Sequence, residues 1–329
     1  VTEDELIDSI KRLCHASTRP SMTSVKLGIG DDAALWQPSR SHRSAISSDM
    51  LVEGVHFTLT AMSLEDVGWR AMAANVSDLA AIGARPVLAT VALGIPPRMA
   101  PENVLRLYRG LANCAACSKI AIVGGDLSRD DTFTIAITVV GEVSASSAKL
   151  RSGGKPGNVL AVTGPLGASR AGLALSRHAE RLGEELETTA LEAFRRPRPR
   201  DGEGRFFAAS RNVTAMIDCS DGLSTDVHRL AEASGCGAEL DDIPVAAAAK
   251  AFAQQHGYDP YRFALAGGED FELVVAVRPR AFQHLALRYA KRFGRPLYRI
   301  GVLREGSGVT WNGAPLERSG WDHFAKEAL

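Results

Sequence analysis

The chain has 329 residues, 45% of them apolar, enough for a sizeable core and long enough to predict two domains. Lysine plus arginine equals aspartate plus glutamate at 38 each, which argues against nucleic acid or an anionic membrane as a partner and makes any electrostatic function local. The longest apolar stretches are strand-sized, so no transmembrane helix is expected. Residues 1–14, VTEDELIDSIKRLC, read as an amphipathic helix with Leu6, Ile7, Ile10 and Leu13 on one face; they lack the basic start and unbroken apolar centre of a signal peptide. Five cysteines, an odd number, point to the reducing cytoplasm.

GIGDDAAL at 28–35 then sets Asp31 beside Asp32 directly after two glycines. Strands are predicted over 44–48 and 52–57, a helix over 64–82, a strand over 87–94 and a helix over 101–118. That last helix carries a CxxC, Cys114 and Cys117; with no second pair of zinc ligands nearby and a late position in the helix, both read as small buried packing residues. Strands follow over 120–124 and 132–143, and the Ser-, Gly- and Lys-rich 144–158 reads as a domain junction or functional loop. After it come a strand over 158–163, a helix over 166–182, and RRPRPR at 195–200, a stiff basic connection expected to be solvated. Helices over 201–211, 222–234, 246–256 and 279–293 alternate with strands over 213–217, 271–277 and 297–303. This alternation predicts an α/β (α+β) class, with domains at 1–148 and 149–329.

The informative pattern is where the aspartates fall. SSDMLVEGVHF carries Asp49, NVSDLAAIGA carries Asp78, IVGGDLSRDD carries Asp126, and IDCSDGLSTD carries Asp218 and Asp221. Asp49, Asp126 and Asp218 follow or end apolar strand-like runs, and ends of strands are where α/β folds build sites. Any one of them, taken alone, reads better as a turn former or helix cap than as a ligand. Together they change the argument: two carboxylates about 4 Å apart repel by roughly 4 kcal/mol at an effective dielectric near 20, so a convergent set needs cations. All-oxygen, carboxylate-rich surroundings select hard metals, Mg²⁺ above all where phosphates share the coordination. An EF-hand fails, because Gly222 at its sixth position would put Ile217 first. A Walker A loop fails as well, because RSGGKPG offers Pro156 where an N–H is wanted.

GIGDDAA, SSDMLVEGVHF, NVSDLAAIGARP, GGD, RSGGKPGN, VTGPLGAS, IDCSDGLSTD, GGEDFEL and the closing GWDHF resemble the thiamine-monophosphate kinase family, in that order and over nearly the whole chain. The Asp-rich motifs are shared with the wider aminoimidazole ribonucleotide synthetase-like superfamily, whereas LVEGVHF, GGEDFEL and GWDHF are more specific to the kinases. The resemblance implies a two-domain aminoimidazole ribonucleotide synthetase-like fold. Its N-terminal domain would bind ATP and Mg²⁺ and form a homodimer through its sheet, and its C-terminal α/β domain would complete the nucleotide and substrate cleft. It implies transfer of the γ-phosphoryl group of ATP to thiamine monophosphate, with Asp49, Asp78 and Arg151 at the chemistry. By motif position, Asp32, Ser47, Ser48, Asp49, Asp78, Asp126, Asp218 and Asp221 match Mg²⁺ ligands, with Asp31 the weaker of the first pair. Tyr108, Gly125, Asp126, Arg151 and Ser220 match nucleotide contacts, and His56, Glu269 and Trp321 match the thiamine-phosphate pocket.

The chemistry agrees with this residue set. The acceptor is a phosphate, largely dianionic at neutral pH because its second pKa lies near about 6, so no general base is needed. What is needed is positioning and charge neutralisation of two polyanions, for which many acids and several Mg²⁺ ions suffice. Thiamine carries a cationic ring, and tryptophan is the best neutral wall for a cation. The alternatives are another ATP-dependent synthetase of the superfamily, which lacks the Trp321 and Glu269 pocket, and a non-catalytic nucleotide- or metal-binding protein, which the full set of aspartates argues against.

Overall fold

The computed structural model describes residues 2–17, 24–31, 33–177 and 182–321. The chain divides into two compact units, Val1–Ala148 and Lys149–Leu329.

Unit 1 runs α1 (Glu3–Ser17), β1 (Val25–Leu27), β2 (Leu35–Trp36), β3 (His42–Val52), α2 (Leu64–Ile82), β4 (Arg85–Ile95), α3 (Pro101–Ser118), β5 (Ala121–Arg129) and β6 (Thr134–Ser144). Its four-stranded sheet has the order β3-β6-β4-β5, antiparallel except for the β4–β5 pair. The predicted strands at 44–48 and 52–57 resolve into one strand, β3, followed by a turn with Gly54 at φ 86°. α2 starts with a capping box in which Ser63 and Asp66 satisfy each other's backbone N–H groups. It packs against α3 at very short range: a Cβ on Gly110 would lie 1.9 Å from the Glu65 carbonyl oxygen, so only glycine permits the approach. α2 packs on β3 and β6. Strand alternation therefore turns Ser47 and Asp49 toward that helix and leaves Ile46, Ser48 and Met50 exposed on the opposite face.

Unit 2 contains β7 (Val159–Val162), α4 (Ala168–Arg177), α5 (Glu184–Arg195), α6 (Asp201–Ala208), β8 (Val213–Asp218), α7 (Leu223–Ala233), β9 (Gly237–Leu240), α8 (Ala247–Gln255), α9 (Pro260–Leu265) and β10 (Leu273–Val277). It closes with α10 (Phe282–Phe293), β11 (Tyr298–Arg304), β12 (Val309–Trp311) and β13 (Ala314–Pro315). The seven strands order as β13-β12-β9-β11-β7-β10-β8, antiparallel except for β9–β12. β10, LVVAV, is buried along its whole length, which explains its unbroken apolar run. Its neighbours β7 and β8 share one core with α7, built from Leu160, Val162, Ile217, Val274, Val227 and Leu230.

All five cysteines are free thiols; Cys114 is buried as expected, whereas Cys117 is exposed on the outer side of α3, contrary to its reading as a packing residue. No helix among the described residues is long and apolar enough to cross a membrane.

Candidate active site

In unit 1 the Ser47 hydroxyl donates to Asp78 Oδ2, joining β3 to the last turns of α2. The Asp49 N–H donates to Asn75 Oδ1 at 3.1 Å, and the buried Asn75 amide is itself oriented by donating to the Ala71 carbonyl at 3.0 Å. Asn75 was not among the expected site residues, although its place three residues before Asp78 puts both on one helix face. Ser48 lies on the other face, where its hydroxyl donates to the Ile137 carbonyl and sits 3.1 Å from the Thr138 hydroxyl; the structure does not bring it to Asp78. Asp126 is exposed on β5 and accepts from the Ser128 hydroxyl at 2.7 Å. The preceding Gly125 is required by packing, since a Cβ there would lie 1.8 Å from the Val91 carbonyl oxygen of the paired strand. Asp49 and Asp126 thus stand within strands that continue beyond them; of the three acids expected at strand ends, only Asp218 is one.

Tyr108 is 3% exposed in α3, its hydroxyl pushed up by burial, so its ring is packed inside unit 1 rather than presented to a ligand. His56 Nδ1 accepts from the Val52 N–H at 3.0 Å, which puts the proton of the neutral ring on Nε2. Asp31 is exposed, and Asp32 lies outside the described residues.

In unit 2 the backbone ties the expected residues together. The Glu269 N–H donates to the Ser220 carbonyl at 2.7 Å and the Trp321 N–H donates to the Asp221 carbonyl at 3.0 Å. Gly320 N–H on Thr225 Oγ1 at 3.1 Å and Ser319 N–H on Ser224 Oγ at 3.2 Å fasten the same closing segment to α7. Trp321 keeps 51% of its surface exposed; Asp322, His323 and Phe324 of GWDHF lie outside the described residues. Asp218, 2% exposed, ends β8. Asp226, a residue the sequence reading did not single out, accepts the N–H groups of Ser220, Asp221 and Gly222, each at 3.1 Å, through one oxygen. Burial first, then Asp218 and Asp221, push its carboxyl up to about 7. Arg229 bonds both Asp221 and Asp226, a single guanidinium shared by two carboxylates at this end of the unit.

Arg151 is exposed in the loop before β7. Its carbonyl accepts from the Ser234 hydroxyl at 2.8 Å, and the Gly153 and Gly154 N–H groups donate to Ser234 Oγ at 3.3 and 3.0 Å, so one serine fixes the loop.

The donor set, carboxylates and hydroxyls in excess over cationic side chains, fits a hard divalent ion in chemistry. Among the described residues, however, no three His, Cys, Asp or Glu side chains converge closely enough to hold a metal.

Residues 30–143 match the AIR synthase related protein, N-terminal domain, and residues 155–312 match its C-terminal domain. The chain belongs to the AIR synthase related family. Its full-length relatives within that family include the thiamine-monophosphate kinase of Bacillus subtilis, 33% identical over 340 residues and covering 98% of this chain and 99% of the relative. A crystal structure of thiamine-monophosphate kinase from Stenotrophomonas maltophilia superposes with a TM-score of 0.84 at 31% identity, covering 96% of this chain and 98% of that one. AaThiL complexed with AMPPCP and TMP superposes at 0.77 and 31% identity, covering 87% and 89%. The two-domain fold expected from the motifs is the fold observed.

Proposed function

We propose that the chain is an ATP-dependent kinase that transfers the γ-phosphoryl group of ATP to the phosphate of thiamine monophosphate, giving thiamine diphosphate and ADP. One observation in the structure carries this reading. The segments bearing Ser220, Asp221, Glu269 and Trp321 are knotted together by direct backbone hydrogen bonds, which sets an exposed indole and a carboxylate beside an acid-rich strand end. An aromatic face with acids close by is a natural receiver for a cationic ring bearing a phosphate. The relatives described above are thiamine-monophosphate kinases along their whole length, and one was solved with AMPPCP and TMP.

The acceptor phosphate needs no base, so this chain's residues bind and align rather than move protons. Trp321 and Glu269 receive the thiamine ring, His56 offers Nε2–H to the acceptor phosphate, and Arg151 supplies a planar fork for nucleotide oxygens. Ser220, Gly125 and Asp126 line the nucleotide side. Asp32, Ser47, Asp49, Asp78, Asp126, Asp218 and Asp221 would hold Mg²⁺; Ser48, whose hydroxyl bonds the Ile137 carbonyl, is left out of this set. When bound, Mg²⁺ neutralises and aligns the two phosphate chains. We assign the phosphoryl chemistry to Asp49, Asp78 and Arg151, divide the chain into functional domains at 1–148 and 149–329, and place the enzyme in the cytoplasm, which its free cysteines support. A homodimer through the outer face of β3 is supported by Ile46 and Met50, 69% and 56% exposed there.

The test is a coupled assay with ATP and Mg²⁺ that compares thiamine monophosphate with free thiamine as acceptor. Thiamine diphosphate should form from the monophosphate alone, and chelation of divalent ions should stop it. W321A should raise KM for the monophosphate about tenfold, as expected for loss of a cation–π wall, and leave KM for ATP unchanged. Turnover of free thiamine, or none of the monophosphate, overturns the reading.

A further inference from the structure

The basic stretch at 195–200, expected to be solvated, ends in a residue that turns inward. Arg200 donates Nε–H to Glu272 Oε2 at 2.9 Å and an NH2 hydrogen to Oε1 at 2.5 Å, a planar fork on a carboxylate whose residue is only 4% exposed. The Thr163 hydroxyl donates to Glu272 Oε2 at 2.5 Å. Arg295 reaches Oε1 at 3.3 Å and Glu203 at 2.7 Å. Glu272 is therefore engaged from three places: the residue after β7, the residue before α6 and the segment between α10 and β11.

Its place in the chain gives this network a purpose. Glu272 closes the strap GGEDFE, and within it Glu269 and Phe271 hold φ of 62° and 49°, left-handed values that side-chain-bearing residues rarely adopt. Such backbone persists only where its surroundings over-determine it. Here the Phe271 N–H donates to the Cys219 carbonyl at 2.9 Å and the Cys219 N–H donates to the Glu272 carbonyl at 2.7 Å. The Asp270 carboxylate accepts the Gly167 N–H at 2.6 Å and the Ser169 N–H at 3.3 Å. The fork from Arg200 is the side-chain lock at the strap's far end.

We infer that Arg200, acting through Glu272, is a positioning residue: it holds the strap in its left-handed conformation and so sets where Glu269 meets the phosphate acceptor. This rests on the assignment of Glu269 to the acceptor pocket proposed above. It also requires arginine rather than any cation, because lysine cannot make the two-pronged contact.

The experiment measures kcat, KM for thiamine monophosphate and KM for ATP in R200K, E272Q and E269A, with calorimetric binding of thiamine monophosphate. R200K keeps the charge and E272Q keeps the shape, so both are read even if R200A fails to fold. R200K and E272Q should raise KM for thiamine monophosphate about tenfold, as expected for a displaced pocket residue, weaken its calorimetric binding to match, and leave KM for ATP within about twofold. A merely structural role would move both substrates or neither, and either result overturns the inference. If E269A weakens the acceptor and R200K does not, the inference alone falls. If E269A leaves the acceptor's KM unchanged, or the unaltered protein does not phosphorylate thiamine monophosphate, the pocket assignment falls and takes the inference with it.

Discussion

Ser47 and Asp49 of unit 1 reach their positions through strand alternation and single hydrogen bonds to α2, whereas Glu269 and Asp221 of unit 2 are held by irregular backbone and a mesh of buried side chains. The first arrangement displays its oxygens on a regular lattice and asks little of the fold. The second embeds carboxylates: Asp226 and Asp270 both sit near 7 because burial disfavours their charge. Regular secondary structure can therefore carry ligands whose loss leaves the fold intact, while the embedded half couples its chemistry to its stability.

The sharpest way to break this comparison is D49A or D78A. Each should cut turnover about 10³-fold or more while leaving the melting temperature near that of the unaltered chain, as for loss of a proposed metal ligand carried by regular secondary structure. Near-normal turnover removes that residue from the site, and a collapsed melt would make unit 1 as embedded as unit 2.

A smaller effect tests the embedded half. Burial raises Asp270 to about 7, and Glu272 and Glu269 add to this against the pull of the Gly167 and Ser169 N–H groups. A carboxyl raised in the folded chain contributes stability in full below the ordinary value of 3.8 and loses it as pH climbs through about 7. The melting temperature of protein free of metal and nucleotide should therefore fall by about 5–10 °C between pH 5 and pH 8. D270N, neutral throughout and still able to accept an amide, should flatten a large part of that slope; an unchanged slope would remove Asp270 from the account.

The smallest effect sharpens the comparison within one strand. S48A should leave turnover within about twofold, because its hydroxyl faces away from Asp78, and S47A should cost about tenfold. Equal losses would mean that strand alternation does not govern the display.

The helices of unit 1 were legible in the sequence, because apolar periodicity fixes α2 and α3 at 64–82 and 101–118, whereas Ser47 and Ser48 were read together as ligands because the strand carrying them was expected to stop at 48. α5 went unread although Leu186, Ala190 and Phe194 recur every four residues, a helical signal overshadowed by the charges around it. The short strands β9, β12 and β13 exist only because neighbours pair with them, and no local pattern of two to four residues announces that. Asp226, Arg200 and Glu272 act across loops or across the unit, and chain position alone cannot tell an inward arginine from a solvated one. Tyr108 misled because its ring could serve a ligand or a core equally well until α1 was seen packed against α3.

β3 lies at the edge of its sheet and pairs with β6 over eleven consecutive residues without a bulge, from His42 opposite Ser144 to Val52 opposite Thr134. Adding or deleting one residue there would exchange its two sides, turning Asp49 outward and Met50 toward α2. A one-residue insertion or deletion in this segment is therefore compatible with the arrangement only where a β-bulge absorbs it and restores the register.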